Sequence, residues 1–120
     1  MTESNVQPFE FKGNQLRTLT DNQGEPWFVL KDAMNILGLG NPTETVKSLD
    51  EDEFSTTEVI DSMGRKQHSF IISEPGLYGL VLKSRKPEAK EFKRWIKHEV
   101  LPSIRKHGAY MTESTLEQAI

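Results

Sequence analysis

An apolar stripe in the last third of the sequence restricts the folds that this chain can adopt. Four apolar side chains recur there at the spacing of one helix face, namely Ala89, Phe92, Ile96 and Val100. The spacing predicts an amphipathic helix that begins near Pro87, and such a face must be buried against a second layer of structure. Pro102 has no amide hydrogen and its ring clashes one turn back, so it is expected to kink or end the helix.

The first part of the sequence instead has the period of β-strands. Residues 6–20 predict two short strands around a turn at Gly13-Asn14, and the apolar run at residues 27–30 predicts a third after the turn at 21–24. These segments indicate a three-stranded meander. Further along, residues 54–60 and 67–72 are β-rich runs on either side of a polar turn, which predicts a hairpin.

Short helices are predicted between and after these strands. Residues 32–37 have a helical pattern, and a second short helix has Asn41 as its N-cap and Pro42 at its first position. Ser73 is the predicted cap of a third helix. The whole pattern therefore predicts an α+β fold, in which short antiparallel strands and hairpins pack with several helices in a single domain.

The domain is expected to occupy residues 1–110, a usual size for one folding unit. Residues 111–120 are interpreted as the start of a linker or helix that leads to a C-terminal domain. The interpretation depends on Ser114-x-x-Glu117, which matches a capping box and is followed by the beginning of an amphipathic pattern.

Charge is distributed unevenly along the chain, whose formal net charge is −3. Residues 1–62 carry twelve acidic and four basic side chains, whereas residues 81–110 carry nine basic and three acidic ones. A surface of this kind suits phosphate groups or an acidic partner. The alternative is a solvated, lysine-rich helix face, and charge alone does not decide between the two.

Composition argues against several classes of protein. Without cysteine the chain has no disulfide framework and no thiolate chemistry. Its longest apolar runs are three or four residues, while a membrane span needs roughly 20. Residues 1–5 lack the basic start and apolar run of a signal peptide. A cytoplasmic protein that makes no membrane contact is therefore expected.

Catalytic and metal-binding patterns are not evident in the sequence. His98-Glu99 begins like the zinc-protease motif H-E-x-x-H, but Pro102 stands where the second histidine would be. Neither of the other two histidines has a partner at ligand spacing. The acidic run at residues 50–53 is interpreted as a solvated loop rather than a cation site. We therefore expect no enzyme activity, no cofactor and no metal.

The basic C-terminal third is the predicted binding surface. Arg85 and Lys86 precede Pro87, so Lys86 is expected to be extended, with the pair projecting outward as a phosphate clamp beside a helix N-terminus. Trp95 borders the apolar stripe and is assigned to the core rather than to base stacking. The predicted nucleic-acid-binding residues are Lys83, Arg85, Lys86, Lys90, Lys93, Arg94, Lys97, Arg105 and Lys106.

Three segments carry a resemblance that covers roughly residues 6–110. The first is WFVLKDA at residues 27–33, with Leu37-Gly38 and Asn41-Pro42 after it. The second is SEPGLY at residues 73–78, continued by SRKP at 84–87. The third is EAK-x-F-x-x-W at residues 88–95, continued by EVLPSIR at 99–105. Together they resemble the N-terminal domain of the BRO family of prophage antirepressors and large-DNA-virus proteins, and Pro75 is a small departure.

The resemblance implies an α+β domain that is often followed by a separate C-terminal domain, and it attaches no catalytic residue to the chain. It implies a transcription regulator of the phage or prophage antirepressor type, acting in the cytoplasm of a bacterial host. The main hypothesis is a non-catalytic domain that binds DNA. The alternative is a protein-interaction module that inactivates a phage repressor without contacting DNA. A homo-oligomer is compatible with both.

Overall fold

Three strands begin the molecule, of which the computed structural model describes residues 6–60 and 63–106. They are β1 (Gln7–Phe11), β2 (Asn14–Thr20) and β3 (Pro26–Val29). Each pairs antiparallel with the next, so the predicted meander is confirmed. The first turn lies at Lys12-Gly13, one residue earlier than predicted, and both residues have positive φ. Glycine adopts that conformation without strain.

Asp21 organises the second turn of the meander. Its Oδ1 accepts hydrogen bonds from the backbone N–H groups of Gln23 at 2.9 Å and Glu25 at 2.8 Å, and its Oδ2 accepts one from Trp27 Nε1 at 3.0 Å. Burial alone would raise the pKa of this carboxyl, but the three hydrogen bonds favour its ionised form and lower the pKa below its ordinary value. The ionised side chain therefore fixes both the turn and the Trp27 ring.

A hairpin of β4 (Phe54–Ile60) and β5 (Lys66–Ser73) extends the meander into one sheet. Strand β5 pairs antiparallel with β3, with Phe28 opposite Ile72 and Val29 opposite Ile71. The five strands therefore lie in the order β1-β2-β3-β5-β4. The hairpin was predicted, whereas its attachment to the meander was not.

The first three helices are α1 (Leu30–Leu37), α2 (Pro42–Lys47) and α3 (Glu74–Lys83). The cap predictions are confirmed, since Asn41 accepts a hydrogen bond from Glu44 N–H at 3.1 Å and Ser73 Oγ accepts one from Gly76 N–H at 3.3 Å. Leu30 was predicted as the end of a strand, but it begins α1. The reason is burial, because an immediate turn into the helix places Leu30 fully inside the core.

The fourth helix, α4 (Glu88–Trp95), passes into a π turn (Ile96–Val100), and the chain stays helical over residues 101–106. In the π turn, Leu101 N–H donates to the carbonyl of Ile96. Of the two expected effects of Pro102, the helix does not end there, and the regular α-helix is instead interrupted by the π turn just before it. A π turn just before the proline shifts the hydrogen-bond register where the ring and the missing N–H would disrupt an ordinary α-turn. Arg105 and Lys106 consequently remain on the same helix.

The main core lies between the sheet and helices α1, α3 and α4. The predicted stripe of α4 is buried at all four positions, which confirms its assignment. A smaller cluster contains Leu19, Val29, Val59 and Ile71. Because Val29 and Ile71 alternate along their strands with residues of the main core, the smaller cluster lies on the other face of the sheet. The α+β architecture predicted from the sequence is confirmed.

Some sequence predictions concern residues outside the described ranges. The capping box at Ser114 and the division between residues 1–110 and 111–120 lie there, so both stay predictions. Among the described residues, no helix is long and apolar enough to span a membrane.

Candidate nucleic-acid interface

Helix α4 and the π turn that continues it present three cationic side chains on their outer side. Lys90, Arg94 and Lys97 are all exposed, and their spacing of four and three residues places them along one face. We refer to these three residues as the basic row. The buried stripe of the same helix fixes the row relative to the sheet. Among the described residues, none of the three forms an ion pair, so their charges are available to a ligand.

Lys93 lies instead over the ring of Tyr78 on α3. Lys93 Nζ lies 5.8 Å from the centroid of the Tyr78 ring, a cation–π geometry. Arg105 is close enough for its charge to favour ionisation of the phenol. Burial and the hydrogen bond that Tyr78 donates to Glu74 Oε2 at 3.1 Å outweigh this effect and raise the pKa of Tyr78 to about 12. The Tyr78 hydroxyl is therefore neutral and donates a hydrogen bond. Half-buried Lys93 already contacts the Tyr78 ring, so it is less available to a ligand than the basic row is.

The connection between α3 and α4 is anchored by Ser84. Its hydroxyl donates to the Leu37 carbonyl at 2.7 Å and accepts from Lys86 N–H at 3.2 Å. Arg85, between these anchor points, is exposed. The connection is thus tied to the end of α1, which holds Arg85 beside the first turn of α4.

Lys86 differs from its prediction. A Cβ added at Gly38 would lie 3.0 Å from Lys86 Cδ, so the methylene chain of Lys86 lies across the end of α1. The prediction that this side chain projects freely outward is therefore wrong for its stem, although the residue as a whole is exposed. The physical reason is that a long aliphatic stem covers exposed backbone while its charged head stays in water.

Eight of the nine predicted binding residues are exposed, and Lys93 is the exception. The structure brings them together in three groups rather than in one patch. The first is the basic row, the second is Lys93 at Tyr78 with the charge of Arg105 acting on the same phenol, and the third is the α3–α4 connection with Lys83. Lys106 follows Arg105 on the last helical turn described.

Trp95 belongs to an aromatic cluster. Its ring centroid lies 6.3 Å from that of Phe9, 5.1 Å from that of Phe11 and 5.8 Å from that of Phe92. The predicted core role is confirmed. Since Trp95 packs from α4 onto Phe9 and Phe11 of the sheet, it is not assigned to base stacking.

One contact of α4 was missed from the sequence. Lys12, in the β1–β2 turn, donates to Glu91 Oε1 at 2.6 Å. This hydrogen bond is the main reason why the pKa of Lys12 is raised. The contact joins residues 79 positions apart, and no local pattern indicates it. Lys12 thus neutralises the charge of Glu91, which would otherwise lower the positive potential of the neighbouring basic row.

The acidic run forms an ordered element rather than a plain loop. Glu51–Glu53 is a 3₁₀ turn with a capping box between Asp50 and Glu53. Its Glu53 carbonyl approaches Gly76, where an added Cβ would lie 3.0 Å away, so the turn sits at the start of α3. Lys83 lies at the other end of that ten-residue helix, about 15 Å away. Helix α3 therefore separates an acidic from a basic end of the surface.

Comparison with known proteins covers the same region. The model of the BRO family N-terminal domain matches residues 15–102. An uncharacterised protein of Haemophilus influenzae is 38% identical over 105 residues, which cover 88% of this chain and 52% of that protein. Protein 289L of Invertebrate iridescent virus 6, whose name assigns it a Bro-N domain, is 33% identical over 113 residues, covering 79% of this chain and 27% of that protein.

The chain thus spans about half of the first relative and about a quarter of the second. A protein of Invertebrate iridescent virus 3 named for the same domain, 019R, is 49% identical over 49 residues, covering 41% of this chain and 12% of that protein. No solved structure shows significant similarity. Because the matched residues 15–102 make up more than half of the chain and include the whole basic row, this protein belongs to the BRO family and carries its N-terminal domain.

Proposed function

We propose that this domain is the non-catalytic DNA-binding part of an antirepressor-type transcription regulator of phage or prophage origin, acting in the bacterial cytoplasm. The observation that carries the proposal is the basic row on α4. Its three exposed cations are not paired with any described residue, and the helix that bears them is fixed by a buried stripe. Double-stranded DNA is the partner that this arrangement suits, because its phosphates form a regular line of negative charge.

The dimensions of the row agree with a backbone contact. Seven residues of helix rise about 10 Å, which equals roughly three base pairs along a duplex. Lys90 and Lys97 at its ends suit phosphates as point charges, whereas Arg94 in the middle can bind a phosphate or a guanine edge through two hydrogen bonds. We therefore propose that contacts with phosphates provide most of the affinity for DNA. Any preference of the basic row for particular bases comes from Arg94.

Removing the row tests the proposal. The variant Lys90→Ala/Arg94→Ala/Lys97→Ala should bind duplex DNA more weakly, and the slope of log affinity against log salt should fall by about 3 in magnitude, one for each lost phosphate contact. Fluorescence anisotropy at several salt concentrations measures both quantities. The matched control is Lys31→Ala/Lys47→Ala/Lys66→Ala, which removes the same charge from exposed positions elsewhere. Equal affinities for the two variants, with intact circular dichroism, would contradict the proposal.

A second function is favoured by Leu82. This residue is 82% exposed near the end of α3, next to Lys83 and close to Arg85. An apolar side chain in water among cations contributes nothing to phosphate binding but suits a protein surface with acidic and apolar groups. The alternative proposal is therefore that this end of the domain binds and inactivates a phage repressor without contacting DNA.

Charge reversal in the α3–α4 connection separates the two functions. Arg85→Glu/Lys86→Glu should lower DNA affinity about tenfold or more if the connection contacts phosphates, because two attractions become repulsions. The melting temperature should change little, since both residues are exposed and only the stem of Lys86 contacts the end of α1. If DNA binding is normal but a co-expressed phage repressor is no longer captured, the interaction module is correct. If both activities persist, the connection is only a structural link.

A further inference from the structure

The outer edge of strand β4 has no partner strand among the described residues. Strand β4 lies at one end of the sheet and pairs with β5 along seven consecutive positions, from Phe54 opposite Ile72 to Ile60 opposite Lys66. Along its other side, no strand in residues 6–60 and 63–106 is hydrogen-bonded to it. Such an edge presents backbone donors and acceptors that can pair with another strand.

Strand β4 also lacks most of the features that usually prevent edge pairing. Its sequence FSTTEVI contains no proline, lysine or arginine, four of its seven residues are β-branched, and its register with β5 has no bulge. Val59 is fully buried in the smaller cluster, which holds the strand against the sheet. The other edge strand, β1, is shorter and contains Pro8. The two edges of the sheet therefore differ, and only the β4 edge is suited to extension.

We propose that β4 pairs antiparallel with β4 of a second copy of this chain, across a two-fold axis at Thr57, so that two sheets join into one. In this register Glu58 of each copy lies opposite Thr56 of the other, and the two Thr57 residues face each other. Because Glu58 is the only charged residue of the strand, no like charges meet. The strand is thus complementary to itself, as a two-fold interface requires.

The same register accounts for an exposed apolar side chain. Ile60 is 46% exposed at the end of β4. The two-fold pairing places it opposite Phe54 of the second copy, and residues directly opposite each other project from the same face. Phe54 is itself half-buried and contacts Phe70, with ring centroids 6.3 Å apart. Pairing therefore places the Ile60 side chain of each copy against Phe54 of the other, once at each end of the interface.

The interface consists of one strand pair, so it falls below the standard size of about 1,600 Å². We therefore expect a reversible dimer at micromolar to high-micromolar protein concentration. Sedimentation velocity of the 120-residue chain over a concentration series measures the monomer–dimer equilibrium. A chain that remains monomeric up to 1 mM, about tenfold beyond that range, would overturn the proposal.

Thr57 provides a specific test because it lies on the two-fold axis, where it faces Thr57 of the second copy. Thr57→Lys and Thr57→Glu each place like charges opposite each other and should raise the dimer dissociation constant about tenfold or more. An equimolar mixture of the two variants should dimerise again, because every dimer of mixed composition has opposite charges at the axis. A mixture that stays monomeric while both variants are folded by circular dichroism would contradict the pairing.

Two further variants separate this interface from other contacts. Thr56→Lys places a lysine opposite Glu58 of the second copy at both ends of the axis and should tighten the dimer. Gln7→Lys on β1, the opposite edge of the sheet, should leave the dissociation constant unchanged. If Gln7→Lys disrupts the dimer and Thr56→Lys has no effect, the copies associate through another surface and the proposal is wrong. Because none of these positions lies in the basic row, failure of this proposal is independent of DNA binding.

Discussion

Phe92→Ala is expected to lower the free energy of unfolding by about 3–5 kcal/mol. Phe92 is fully buried in the middle of the α4 stripe. Its ring lies 5.4 Å from that of Phe11 in an edge-to-face arrangement and 5.8 Å from that of Trp95. Truncation removes apolar contacts and leaves a cavity between the sheet and α4, which the surrounding β-strands can fill only in part. Ile96→Ala, at another fully buried position of the stripe, should cost about 2–5 kcal/mol.

Urea denaturation followed by tryptophan fluorescence measures these losses, and Trp95 is a direct reporter because it contacts Phe92. The control is Leu82→Ala, which removes a side chain that is 82% exposed and should change stability by less than about 0.5 kcal/mol. If Phe92→Ala or Ile96→Ala costs less than about 1 kcal/mol, the stripe is not part of a closed core and must be interpreted as an interface with another molecule.

The stripe shows how well a local pattern predicts this fold. Its four residues predicted a buried helix face because helical spacing and apolar character coincide over three turns, and the prediction is confirmed. The effect of Pro102 was less predictable. A proline within a helical segment can end the helix, or the helix can continue past it. Which of the two occurs depends on whether the residues after the proline are buried when the helix continues. Leu101 and Ile104 are both buried, so continuing the helix through a π turn is favoured.

The sheet shows where local patterns fail. Turn residues and alternation predicted the meander and the hairpin, because each pairs strands that are adjacent in sequence. The β3–β5 pairing joins Val29 to Ile71 across two helices, the 3₁₀ turn and strand β4, and no spacing rule specifies such a partner. Burial of apolar residues on both faces of the sheet, rather than turn chemistry, selects that pairing.

The basic surface was predicted in composition but not in arrangement. Lysine and arginine side chains are almost always exposed, so their exposure follows from residue type. Which of them face a ligand depends on tertiary neighbours. Lys93 is drawn toward Tyr78 and the stem of Lys86 toward Gly38, and both neighbours lie on other helices or their ends. The basic row remains because, within residues 6–60 and 63–106, nothing covers its side of the helix.

The ion pair between Arg17 and Asp32 was not predicted at all. Arg17 lies in the middle of β2 and Asp32 in the first turn of α1, and their side chains are only 16% and 12% exposed. Asp32 Oδ2 accepts from the Arg17 backbone N–H at 2.9 Å and from Nε at 2.8 Å, while Oδ1 accepts from Nη2 at 2.9 Å. The carboxylate thus joins strand and helix through three hydrogen bonds.

Asp32→Ala should therefore destabilise the domain by about 3 kcal/mol, since it removes the carboxylate that pairs with a largely buried guanidinium and that accepts from the β2 backbone. Thermal and urea denaturation at neutral pH measure the loss. Lys12→Ala is the matched control, because it removes the Lys12–Glu91 ion pair, whose side chains are 50% and 59% exposed. That exposed pair is screened by solvent, so its removal should leave stability unchanged within error.

A double-mutant cycle shows whether the two side chains act as a pair. Arg17→Ala/Asp32→Ala should cost less than the sum of the two single variants, by an interaction free energy of about 0.5–3 kcal/mol, because the two side chains contact each other directly. Additive losses would mean that Asp32 acts only on the backbone of β2 and in the first turn of α1. In that case Asp32→Asn, whose amide oxygen can still accept the Arg17 backbone N–H, should restore most of the stability lost in Asp32→Ala.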